Sequence, residues 1–296
     1  MKYAAIDIGT NAARLLIGEV IHQNGYSFVQ KLSYTRVPLR LGFEVFNDGV
    51  ISKEKIAQFI KTMQAFQLIA EVYNVAEIRA CATSAMREAN NGVEVQQLIK
   101  KKTGVNIEII DGKEEGTIIL STFFLLAIDK QSPFIVIDVG GGSTEISIFQ
   151  DGKKLAGNSF PIGTIRILQN KVSNDQWKQL KKWLLKNNDL GVKYKVFATG
   201  GNINRLHKLL NKQFMEPIST EELNTSLERL KELTIEERIH RFQLKADRAD
   251  VIVPACEIYS FVIDHLKSNQ LYVPKIGLSD GMIYHMHKKQ LASQKK

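Results

Sequence analysis

Asp138-Val139-Gly140-Gly141-Gly142-Ser143-Thr144-Glu145 is the stretch whose reading decides the fold. The apolar run Phe134 to Ile137 leads straight into a carboxylate, three glycines and two hydroxyls. Glu145-Ile146-Ser147-Ile148-Phe149 then resumes an alternating strand, so the stretch is the tip of a β-hairpin. Consecutive glycines bring bare N–H groups against an anion with no Cβ in the way, and Asp138 can hold a metal ion. A Walker loop would end in Gly-Lys-Ser/Thr and a Rossmann loop would open a helix; neither pattern is present. A glycine hairpin can also be a plain turn, so the rest of the chain has to decide.

The start of the chain repeats the pattern. Lys2 to Ile8 is a short apolar strand, Gly9-Thr10-Asn11 a turn and Arg14 to Val20 a second strand. Laying Asp7 on Asp138 puts Gly9 on Gly140, Arg14 on Glu145, Leu15 on Ile146 and Ile17 on Ile148, an ungapped offset of 131 positions. Two similar half-molecules facing one ligand are expected.

Each half reads β-β-β-α-β-α-β-α. In the first, Gly25 to Tyr34 is the third strand and Arg36 to Gly42 an irregular loop. A helix capped by Ser52 follows, with Ile56, Phe59, Ile60, Met63, Phe66 and Ile69 at a helical period. A strand from Val75 to Cys81 ends at Ala82 to Glu88, and strand C-terminal ends are where ligands collect, so Arg87 is placed to reach an anion or to pair with Glu88. After Ile110, Asp111-Gly112-Lys113-Glu114-Glu115 opens a helix expected to run to Ala127. Glu115 shares a face with Ile118, Ile119 and Thr122, and a carboxylate there needs a partner or a function.

The second half restarts at Phe134, with strands at Phe134 to Ile137, Glu145 to Gln150 and Lys153 to Asn158. Pro161-Ile162-Gly163-Thr164-Ile165-Arg166 starts a helix, and Thr199-Gly200-Gly201-Asn202 is a turn opening another. Leu271 to Pro274 is expected as a late strand, Gly277 to Gly281 as a loop and Met282 to Gln290 as the final helix. The junction falls near Ala127 to Ser132, giving domains 1–127, with a C-terminal helix (about 282–296) packing back on it, and 128–281.

Forty Lys and Arg against thirty-one Asp and Glu give a formal charge of +9, which favours an anionic partner. No aromatic platforms interleave the basic residues, so nucleic acid is not expected. No apolar run reaches the length of a membrane span and no signal-peptide layout opens the chain, so a cytoplasmic protein without membrane attachment is expected. Cys81 and Cys256, far apart in apolar surroundings, read as buried reduced thiols.

Asp7 to Asn11, Ala82 to Arg87, Ile110 to Glu115, Asp138 to Glu145, Arg248-Ala249-Asp250 and Gly277 to Gly281, in this order, resemble the exopolyphosphatase/guanosine pentaphosphate phosphatase (Ppx/GppA) family. The resemblance implies an α/β fold of two ribonuclease-H-like, actin-like ATPase domains with an interdomain active-site cleft. It implies Mg²⁺-assisted release of terminal orthophosphate from polyphosphate or, alternatively, from pppGpp, with homodimerisation open. Gly9, Thr10, Asn11, Gly140, Gly141, Gly142, Ser143 and Thr144 would hold phosphate, and Asp138, Asp7 and Glu145 the metal. Glu115, Arg87 and Glu145 would be catalytic, with Glu115 orienting or deprotonating the attacking water. A kinase of the same fold and a non-catalytic nucleotide sensor are the competing classes. Thr199 to Asn202 resembles the adenosine-side turn of such ATPases.

Overall fold

The computed structural model describes residues 1–23, 26–123, 125–126, 128–129, 131–189 and 191–294. Gly25 and Ala127, expected to bound a strand and a helix, and the tail lysines Lys295 and Lys296 lie outside the described residues. The chain divides into two compact units, Met1–Ile128 with Ile276–Lys296, and Asp129–Lys275.

The first unit contains β1 (Lys2–Ile8), β2 (Ala13–Gln23), β3 (Tyr26–Val37), α1 (Leu41–Asp48), α2 (Lys53–Val72), β4 (Glu77–Ala82), α3 (Ser84–Glu88), α4 (Gly92–Thr103), β5 (Ile107–Ile109) and α5 (Gly112–Phe123). Among the described residues its strands form one five-stranded sheet in the order β3-β2-β1-β4-β5. The first three are antiparallel, as two short hairpins allow; β4 and β5 join parallel to β1 through helical crossovers. The Ser52 hydroxyl accepts the Lys55 amide at 3.2 Å and starts α2, whose Phe59, Met63, Phe66 and Ala70 pack on the sheet.

The second unit contains β6 (Phe134–Val139), β7 (Thr144–Gln150), β8 (Lys153–Phe160), α6 (Thr164–Leu168), α7 (Asn174–Asn187), β9 (Lys195–Thr199), α8 (Gly201–Leu209), β10 (Ile218–Ser219), α9 (Thr220–Lys231), α10 (Ile235–Phe242), α11 (Ala246–Ala249), α12 (Ile252–Leu266) and β11 (Gln270–Leu271). Its main sheet runs β8-β7-β6-β9, matching the first four positions of the sheet in the first unit. The capping boxes Ser173/Gln176 and Ser219/Glu222 start α7 and α9. Apolar nearly all round, α12 sits within the core, with Ile258, Tyr259 and Val262 sealed from solvent.

Three expectations are corrected. The loop expected over Arg36 to Gly42 shortens to residues 38–40, between the end of β3 at Val37 and the start of α1, whose Leu41 and Val45 enter the core and whose C-cap is the left-handed Gly49. The strand expected at Leu271 to Pro274 shrinks to the two residues of β11 and a bridge from Tyr272 to Phe197. Leu278 to Gly281, expected as loop, is the first turn of the last helix, α13 (Leu278–Gln294). The two glycines look like turn signals, but a Cβ on Gly281 would overlap the Ile118 carbonyl, so this glycine lets α13 close on α5. Buried Asp280 accepts Lys31 Nζ at 2.9 Å and the Gly277 amide at 3.1 Å, which ties α13 to β3.

Candidate active site

In the second unit, antiparallel pairing of β6 with β7 sets Asp138 opposite Glu145 and Val139 opposite Thr144. The loop between them closes with the Gly140 amide on the Ser143 carbonyl at 2.9 Å. A carboxylate oxygen of Asp138 lies within 4.8 Å of one of Glu145. Two hard oxygen donors so close, one of them buried, fit a hard divalent cation. Each carboxylate is oriented by a hydroxyl from the neighbouring strand: Thr199 Oγ1 donates to Asp138 at 2.5 Å and Ser159 Oγ to Glu145 at 2.6 Å. Tyr259 of α12 in turn donates to the Thr199 carbonyl; burial and then the charge of Asp138 push its phenol well above its ordinary range. Gly200 (φ 118°) leads into α8, and a Cβ there would come 2.8 Å from the Val139 carbonyl, so only glycine lets β9 turn this close to the loop.

In the first unit the same hairpin sets Asp7 opposite Arg14, and the Gly9 amide donates to the Ala12 carbonyl at 3.0 Å. That bond is the counterpart, 131 residues earlier, of the one from Gly140 to Ser143. Here an arginine stands where the second unit has Glu145, and it pairs with Asp7 at 2.5 Å.

Glu115 sits in the first turn of α5, half-buried above Ile118, Ile119 and Thr122, which are buried. Glu114 is exposed, 3.6 Å from Arg79. Asp111 Oδ1 accepts the Glu114 amide at 2.7 Å and starts the helix. Arg87, at the C-terminal end of α3, donates through Nη1 to the Ile110 carbonyl at 2.7 Å, so it braces the turn that opens α5 rather than pairing with Glu88, which accepts from Ser84. Its remaining N–H donors suit an anion.

A model of the Ppx/GppA phosphatase family matches residues 20–290. The chain belongs to this family. Exopolyphosphatase 1 of Mycobacterium tuberculosis is 30% identical over 194 residues, 62% of this chain and 54% of the relative, so the chain spans about half the length of that curated relative. The crystal structure of the Aquifex aeolicus Ppx/GppA family member aligns with TM-score 0.78 and 25% identity, covering 98% of each chain. An exopolyphosphatase from Cytophaga hutchinsonii aligns at TM-score 0.83 and 24% identity over 97% of each chain, and shows the same fold. The Ppx/GppA chain thus has the actin-like α/β fold that its motifs imply.

Of the expected residues in this Ppx/GppA chain, Asp138 and Glu145 come together with the loop Gly140 to Thr144 in the second unit. Asp7, Gly9, Thr10 and Asn11 form the matching loop of the first unit, and Arg87 and Glu115 gather at the Ile110 turn. Ser159 and Tyr259 do not stand out in the sequence, and Thr199 stands out there only as the start of the turn that opens α8, not as the partner of Asp138. The parallel register of β9 with β6 brings Thr199 to Asp138 from 61 residues away, and no local pattern announces it. Among the described residues no helix is long and apolar enough to cross a membrane.

Proposed function

We propose that this chain is a phosphoanhydride hydrolase that releases terminal orthophosphate from inorganic polyphosphate. The observation that supports it is the carboxylate-flanked glycine hairpin, present once in each unit in equivalent register, in a member of a phosphatase family. Phosphoryl transfer asks for positioned charge rather than covalent chemistry. Gly140 to Thr144 and Gly9 to Asn11 would hold the terminal phosphate groups through backbone N–H and hydroxyl donors. Asp138 and Glu145 would hold Mg²⁺; Asp7, already sharing its charge with Arg14, is the lesser candidate. When bound, the cation would neutralise charge on the phosphate oxygens.

Arg87 would meet the charge that grows on the transferred group. Glu115 would orient the attacking water and take its proton, as the half-buried one of the adjacent carboxylates. The +9 charge of the chain favours the long polyanion over a nucleotide. The test is orthophosphate release with Mg²⁺ from tripolyphosphate, long polyphosphate, pppGpp and ATP in parallel. Release from the polyphosphates ahead of the nucleotides is expected; release from none of the first three overturns the proposal.

A further inference from the structure

The loop Gly140 to Ser143 is held from behind by the segment Ile162 to Arg166. Three consecutive loop carbonyls are taken: that of Gly140 by the Thr164 amide at 3.1 Å, that of Gly141 by the Ile165 amide at 2.8 Å, and that of Gly142 by Arg166 Nε at 2.6 Å. Fully buried Thr144 fastens the other side, donating through Oγ1 to the Ile162 carbonyl at 2.6 Å. Gly163 makes the approach feasible, because a Cβ there would collide with the backbone of Gly141 and Gly142.

In a trans peptide the C=O of one residue and the N–H of the next point in opposite directions. No cis peptide occurs among the described residues. Fixing the carbonyls of Gly140, Gly141 and Gly142 on one side therefore fixes the amides of Gly141, Gly142 and Ser143 on the other. Those three amides make no hydrogen bond among the described residues. The first unit shows a lighter version: the Thr10 and Asn11 carbonyls accept from the backbone amides of Gly42 and Arg40 at the start of α1, both at 3.0 Å.

We propose that Arg166 is a positioning residue: with Gly163, Thr164 and Ile165 it clamps the carbonyl side of the loop so that three amides in a row are preset for a phosphate group. Arg166 acts through Gly142 and not by touching substrate. The inference rests on the hydrolase reading for its kinetic consequence, and on geometry alone for the direction of the amides.

The experiment compares the wild-type chain with Arg166→Met, which keeps the stem as far as the Nε position and loses the donor, and Arg166→Lys, which restores one charged donor. With tripolyphosphate, Arg166→Met is expected to lower kcat/KM about 100-fold, the scale of a small misplacement of reacting groups, and Arg166→Lys to recover part of it. In parallel, backbone amide resonances are followed while inorganic phosphate or tripolyphosphate is added. In the wild type, Gly141, Gly142 and Ser143 are expected to shift on binding; in Arg166→Met they shift before ligand is added and respond weakly to it. Unchanged kinetics in a folded Arg166→Met variant overturn the proposal. So do wild-type amides that ignore ligand, a measurement that stands even if the variant does not fold. If the wild type releases no orthophosphate while its three amides respond and the variant's do not, the hydrolase reading falls and the clamp remains.

Discussion

Among the acidic side chains, adjacency in sequence conceals a division of labour. Glu114 and Glu115 differ by one position, yet one is exposed beside Arg79 and the other half-buried on the core side of α5. Glu115→Gln is expected to lower phosphate release about 10²- to 10⁴-fold with little change in thermal midpoint, whereas Glu114→Gln keeps near-normal turnover. The opposite ranking in a steady-state assay would remove Glu115 from its role. Burial also settles the thiols: Cys81 and Cys256 are free and buried, and each is pushed up to about 12. A thiol reagent at pH 8 is expected to label neither in the folded chain and both in denaturant; fast labelling without denaturant would contradict this. Glycines and carboxylates of the site could be picked out in the sequence because their chemistry is local. The bonds from Thr199, Ser159 and Tyr259 could not, because each of these residues meets its partner only through strand register or helix packing.

Helices and strands behaved similarly: a long periodic segment such as α2 was plain, and short ones were masked by turn-like residues. Gly281 is the clearest case, a glycine chosen for contact between two helices. Gly281→Ala is expected to force α13 from α5 and cost roughly 1–3 kcal/mol or more in a urea titration; a loss under about 0.5 kcal/mol would show that the helices adapt freely. Within α8, fully buried His207 holds the Glu216 carbonyl at 2.9 Å through Nε2. Burial lowers its pKa from the ordinary 6.5. The unfolded chain therefore takes up this proton more readily than the folded one. The stability involved is present above pH 6.5 and is lost as the pH falls below it, through the folded value. His207→Gln is expected to flatten the decline of urea midpoint between pH 7.5 and 5; parallel declines would count against it.

Across the whole molecule, the repeat offset of 131 residues shows most clearly in the matching hydrogen bonds at Gly9 and Gly140. The copies have diverged in their partners, Arg14 in one and Glu145 in the other, so equivalent hairpins present opposite charges beside their loops. The first unit is discontinuous: Ile276–Lys296 belongs to it, with α13 packing on α5, β1 and β2. That discontinuity bears on the order in which a growing polypeptide becomes native. All residues of the second unit, 129–275, precede α13, whereas the first unit, begun earlier, lacks α13 until that helix has left the ribosome. A chain stopped at Lys275 is expected to keep a protease-resistant fragment from the second unit and lose the first; equal resistance of both would show that α13 is dispensable. The half that is synthesised first would therefore be the last to mature.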